Sequence, residues 1–162
     1  MRMKFLRSFL FVLTSLPLCV LAADSNNRLH FPAAKFSIAP LDSSPGPASH
    51  AIMMMTLLPT NNFAGNVNVQ IQPYKGTIDE YLSLSLEQFK DNGIVVHAKR
   101  NIGKTAVAFD YTGKLQGQAL HWYSRAEKSG DHVYLATGTA TEKDWTTQGP
   151  KLKACVDSFK CD

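Results

Sequence analysis

The sequence predicts an α+β domain, an antiparallel sheet with helices packed on it. Three observations carry this. Segments of strand character outnumber helical ones by about seven to two. Four strands follow one another through connections too short for anything but antiparallel pairing. One alternating strand runs straight into a capped amphipathic helix, and such elements bury their apolar sides only by layering on one another.

The order along the chain supports each element. Phe36 and Ile38 alternate with Lys35 and Ser37 in a short first strand that stops at Pro40, and Leu41 to Ser49 is dense in turn formers. His50 to Leu58, HAIMMMTLL, is apolar on both sides, which predicts a strand central in its sheet or covered on both faces. Val67, Val69 and Ile71 alternate with Asn66, Asn68, Gln70 and Gln72, the period of a strand with unlike faces. Pro73 and Gly76 break that strand. Thr77 with Glu80 forms a capping box, and Ile78, Tyr81, Leu82, Ser85, Leu86 and Phe89 recur at helical spacing before Gly93.

A meander follows. Ile94 to Asn101 and Lys104 to Thr112 pair across Ile102-Gly103; Gln118 to Glu127 and His132 to Ala140 pair across Ser129-Gly130-Asp131. Thr141 with Asp144 resembles a second cap. Trp145, Leu152, Cys155, Val156 and Phe159 form the apolar stripe of a last helix, which Gly149-Pro150 is expected to interrupt or kink.

Met1 to Arg7 carries three positive charges, and an apolar run from Ser8 to Leu21 ends at Ala22-Ala23, the pattern of a secretory signal peptide spanning residues 1–23. The run is too short to span a bilayer, which takes about 20 apolar residues. One domain, residues 24–162, is then expected in the periplasm, with secretion as the alternative. Without residues 1–23 the formal charge falls from +4 to +1, because three of the 17 basic residues leave and 14 face 13 acidic ones. No basic cluster remains to serve a nucleic acid. Cys19 leaves as well, so Cys155 and Cys161 are expected to form one disulfide that pins the C-terminus; the spacing is not that of a redox pair, and no histidine stands close by for a metal.

Several stretches taken together resemble the PsbP-like superfamily, and within it the bacterial DcrB-like exported proteins: Phe36-Ser37-Ile38 before a proline, Asn66 to Val69, Gly76-Thr77-Ile78-Asp79-Glu80-Tyr81, Phe109-Asp110-Tyr111, Val133 to Ala140, and Asp157-Ser158-Phe159. The chain departs from the pattern at Lys35, where a glycine often precedes the first strand, and in its C-terminal cysteine pair. The resemblance spans about Phe31 to Phe159. It implies an α/β/α sandwich around an antiparallel sheet, and binding rather than catalysis, with no shared catalytic set and no cofactor.

The residues offer few sites. Gly103-Lys104-Thr105 resembles the end of a phosphate loop, but Ala98 stands where its first glycine belongs, so a hairpin turn is expected. Five histidines are isolated in sequence; His121 and His132 are expected as cross-strand neighbours. His50, Met53 and Met55 are soft enough to suggest copper, with zinc as a related alternative, although methionine also serves as adaptable core filler. His121, Trp122, Tyr123 and Arg125 are of the types that dominate binding surfaces. A hydrolase would need His121 beside a serine or carboxylate in a concave pocket. The reading that results is a non-enzymatic envelope protein that binds another envelope protein or peptide, its site on the meander from Ile94 to Ala140 or in the loop from Leu41 to Ser49; a metal-binding protein is the alternative.

Overall fold

The structure, a computed structural model, describes residues 28–41 and 45–161. The predicted signal peptide lies outside the described residues. Two compact units divide the chain. The first holds a two-stranded ribbon, β1 (Leu29–Phe31) against β2 (Phe36–Ile38), closed by a 3₁₀ turn at Pro32–Ala34. Phe31 stacks on Phe36 at 4.8 Å, and Arg28 donates from Nε and Nη2 to the hydroxyl and carbonyl of Ser37, each at 2.9 Å. Lys35 has φ 58°, a left-handed conformation that a glycine enters without steric cost. This turn therefore favours glycine at position 35.

The second unit is an antiparallel six-stranded sheet with a helix on each face. Its strands are β3 (His50–Thr56), β4 (Asn66–Pro73), β5 (Val95–Ile102), β6 (Ala106–Leu115), β7 (Gln118–Ser129) and β8 (His132–Thr141); its helices are α1 (Ile78–Asp91) and α2 (Trp145–Asp157). The strand order is β3-β4-β8-β7-β6-β5. The expected α+β sandwich is thus the observed architecture.

Strand alternation sorts the core into two layers. Val107, Phe109 and Tyr111 of β6, Ala126 of β7 and Val133 of β8 pack with Ile78 and Leu82 of α1. Their sequence neighbours point the other way: Ala108, Tyr123, Ala136 and Ala140 join Val67 and Val69 beneath Leu152 and Val156 of α2. Each buried side chain of this size contributes about 1.5–3 kcal/mol. At Gly138 the helix comes so close that a Cβ would sit 3.1 Å from that of Leu152. The sheet meets α2 there without a side chain between them.

The capping box stands as read. Glu80 N–H donates to the Thr77 hydroxyl at 3.2 Å, and Thr77 N–H donates to Glu80 Oε2 at 2.7 Å. The Thr77 N–H and, at 3.1 Å, the Thr77 hydroxyl both donate to Glu80 Oε2 and hold the Glu80 carboxyl below its usual range. Gly103 closes the β5–β6 hairpin at φ 63°, as expected of a turn.

Three local expectations are corrected. The last helix is not interrupted at Gly149-Pro150 but continues from Trp145 to Asp157, with Gln148, Leu152 and Val156 buried along one side; a bend at the proline is a separate matter from continuity. His121 and His132 are not neighbours, because β7 and β8 pair along their full length and set His121 opposite Ala140 and His132 opposite Ser129. The third concerns β3: among the described residues it is an edge strand, paired with β4.

Candidate functional site

The four binding candidates on β7 do not share a surface. Successive side chains point to opposite faces, so Trp122 lies on the α1 side, stacked on Tyr111 at 5.4 Å, and Tyr111 in turn stacks on Phe89 of α1 at 4.6 Å. His121, Tyr123 and Arg125 lie on the other face. There they meet α2.

His121, 9% exposed, is gripped from three directions. Its Nε2 is 2.5 Å from Asp110 Oδ1 and its Nδ1 is 3.0 Å from Glu142 Oε2. The indole of Trp145 covers its ring at 3.9 Å and 8° between planes. A neutral imidazole carries one N–H, whereas both nitrogens here face carboxylate oxygens.

Asp110 also accepts from Lys153 Nζ on α2, which lies 5.3 Å from the Tyr123 ring and 5.7 Å from that of Trp145. Burial pushes the Asp110 carboxyl up, but the hydrogen bonds and charges of Lys153 and His121 prevail and hold it below the usual range. Further along, Tyr123 donates to Asp157 Oδ1 at 2.8 Å and accepts from Arg100 at 3.2 Å. Arg125 donates to the Asp157 carbonyl at 3.0 Å and to Glu127 Oε2 at 2.8 Å, and its Nε is buried with no hydrogen-bond partner. These contacts clamp α2 to the sheet at both ends.

This arrangement is poorly made for acid–base chemistry. A general base needs a free nitrogen directed at substrate, and both nitrogens of His121 are engaged while Trp145 lies on its face. His97, 5.7 Å from His121, pairs its Nε2 with Thr112 Oγ1 at 2.8 Å. Among the described residues no group of three or more His, Cys, Asp and Glu side chains is placed to hold a metal ion.

Nor does the structure join Cys155 to Cys161. Cys155 sits inside α2, packed against the core beneath it, while Cys161 lies beyond the helix end with its N–H directed at Glu127 Oε1.

The third sequence candidate is placed differently from expectation. Because β3 is an edge, Ile52, Met53, Met54 and Met55 are exposed, Met54 to 64% and Leu58 just beyond to 87%. A bulge between Ala51 and Met53 shifts the register, so that His50, Met53 and Met55 stand opposite Ile71, Val69 and Val67. Directly opposed residues share a face, which puts those three on one side and Met54 on the other. His50 Nδ1 lies 3.1 Å from the Ala48 carbonyl.

Exposed edges are usually guarded by charge, proline or irregularity. The opposite edge, β5, carries Lys99 and Arg100. From His50 to Leu58 there is no Lys, Arg, Asp or Glu. The bulge between Ala51 and Met53 breaks the edge of β3 at one end, and the uncharged stretch from Met53 to Leu58 is the part suited to strand addition.

Fold and surface together define an α+β sandwich with an uncharged edge strand, β3, among the described residues. No family model and no curated protein matches the chain. Among solved structures it is similar to that of PA94 from Pseudomonas aeruginosa, a protein of unknown function, with a TM-score of 0.61 and 17% identity over 83% of this chain and 96% of that one. The likeness is one of fold.

Proposed function

We propose that this chain is a non-enzymatic binding protein of the bacterial envelope, of PsbP-like and DcrB-like type, which takes an extended segment of another envelope protein or peptide along the free edge of β3. The carrying observation is that edge: seven residues paired, among the described residues, with β4 alone, uncharged, with Ile52 to Met55 exposed. Main-chain hydrogen bonds from an added strand supply affinity in such complexes, and pockets for alternate side chains supply selectivity. The sequence resemblance to a superfamily of binders and the full engagement of His121 support the same reading. The pattern of residues 1–23 supports export.

Crosslinked pull-down from envelope extract tests it. The protein should recover a reproducible partner, and the partner should protect the amides of residues 50–58 from hydrogen exchange. A Met54→Lys variant, folded by circular dichroism, should lose that partner. Recovery of the partner unchanged by Met54→Lys would overturn the assignment to this edge.

A further inference from the structure

Between α1 and the sheet lies a cavity of about 280 Å³. Protein interiors pack at crystal density, and voids much larger than a water molecule are few. Its walls are aromatic: Phe109 and Tyr111 from the sheet, Phe89 from α1 set edge-on to Phe109 at 6.1 Å, and Tyr81 set edge-on to Tyr74 at 5.3 Å. Its polar groups, from Gln72, Tyr74, Tyr81, Ser85, Gln88 and Tyr111, are neutral and make up about half of the lining. The Tyr81 hydroxyl donates to Gln72 Oε1 at 2.7 Å, Ser85 turns its hydroxyl back to the Tyr81 carbonyl at 2.8 Å, and Gln88 completes the lining.

At Tyr74 and Leu84 the cavity meets a shallower groove of about 600 Å³. Here the charge is of one sign. Asp79 and Glu80 line the groove, and no Lys, Arg or His lines either space among the described residues; Lys75 and His132 line a separate hollow on another side of Tyr74. Leu84 at the junction is 48% exposed, which leaves the mouth open to solvent.

We propose that this is a binding site for a small amphiphilic cation, an aromatic or short aliphatic body seated between α1 and the sheet with its positive charge at the Asp79 and Glu80 rim. Ligand sites are concavities that combine aromatic walls with convergent polar groups, and 280 Å³ holds roughly ten to fifteen non-hydrogen atoms on that scale. Tyr74 lines both the cavity and the acidic groove, and so joins the aromatic walls to the carboxylate rim. The site is independent of the β3 edge.

A matched series of probes tests it: 4-phenylbutylamine, 4-phenylbutanol and 4-phenylbutanoate, titrated into the purified protein and followed by amide chemical shifts. The amine should bind tightest and the carboxylate weakest, separated by about tenfold at low salt given two nearby carboxylates. The perturbed amides should cluster at Tyr81, Ser85 and Gln88. An Asp79→Asn, Glu80→Gln double variant, whose Gln retains the capping geometry, should erase the preference for the amine and leave the alcohol unaffected. Leu84→Trp, a substitution at an exposed position that blocks the mouth, should weaken all three. Equal affinities across the series, shifts that cluster away from α1, or binding indifferent to Leu84→Trp would each overturn the proposal.

Discussion

The indole of Trp145 lies flat on the imidazole of His121, 3.9 Å between centroids, and this contact joins the first turn of α2 to the middle of the sheet. It exists because Gly149, one helical turn on, leaves room: a Cβ there would lie 3.0 Å from Trp145 Cδ2 and Cε2. Gly149→Ala should therefore push the indole off His121 despite the better helix propensity of alanine. We expect a net loss of about 1 kcal/mol, the cost of overpacking set against the gain in propensity. Urea unfolding together with near-ultraviolet circular dichroism of the two tryptophans would measure it; unchanged stability and an unchanged spectrum would show that the packing is looser than it looks.

Asp110 sits between Lys153 and His121 and should be needed for the clamp. Asp110→Asn leaves Lys153 and His121 facing an amide, and should destabilise the protein by roughly 1–3 kcal/mol, the range for breaking buried charge-assisted bonds. His121→Phe keeps a ring under Trp145 but leaves Asp110 with Lys153 alone and Glu142 to solvent, and should cost less, about 1 kcal/mol. Denaturant melts of the two single variants and the double variant should show strong non-additivity, since both remove one network.

The same carboxylate sets an acid limit. Asp110 has a folded pKa below its ordinary value of 3.8, so the folded state prefers the ionised form. Its contribution is present above 3.8 and is lost as pH falls from there through the lower folded value. Glu80 and Asp144 are lowered too, Glu80 by its bonds to Thr77 and Asp144 chiefly by the Thr141 hydroxyl, so all three act in the same direction. Thermal melts from pH 6 to pH 2.5 should show stability falling below about pH 4, with a shallower fall in Asp110→Asn. Parallel acid limbs in the two proteins would count against the clamp as the cause.

The difference between what could and could not be read from the sequence follows from the range of each interaction. Helix α1 was legible because its signals are local: Thr77 and Glu80 stand three residues apart, and Ile78, Leu82 and Phe89 repeat on one side. The hairpins were legible because Gly103 and Gly130 mark them. By contrast, nothing local in HAIMMMTLL distinguishes an edge from a centre, since a strand's place in the sheet depends on β4 and β8, many residues away. The network at His121 was hidden for the same reason. Asp110, Glu142, Trp145 and Lys153 come from three elements, and the one sequence signal was a charged Asp110 between Phe109 and Tyr111 on an otherwise apolar strand. Trp122, Tyr123 and Arg125 were of the right type for an interface, yet their alternation on β7 divides them between two buried faces.

The cap of α1 offers a local comparison. Thr77→Ala removes the hydroxyl that accepts from Glu80 N–H and should cost about 1 kcal/mol. Thr77→Ser should restore nearly all of it, since serine is an equal or better cap. Chemical denaturation of the three proteins decides the matter; an alanine variant as stable as the parent would mean that packing of Ile78 and Leu82 alone holds the helix start.

On the α1 face three hydroxyls cross the sheet in a chain: Tyr111 lies 2.8 Å from Ser124 Oγ, which lies 2.9 Å from Thr137 Oγ1. Ser124, fully buried, links the other two. Burial pushes the Tyr111 hydroxyl above its ordinary pKa, so it stays protonated and available as donor. Ser124→Ala changes almost no volume but leaves two hydroxyls without their common partner, and should cost about 1–3 kcal/mol. Tyr111→Phe removes one end of the chain and leaves Ser124 still paired with Thr137, so it should cost less, about 0.5–1.5 kcal/mol. The order of the two losses is the informative result. If the hydroxyl chain contributes as a network, Ser124→Ala is the more damaging; if burial of the Tyr111 ring is what matters, both substitutions are nearly silent, because each leaves the Phe89, Tyr111 and Trp122 stack in place.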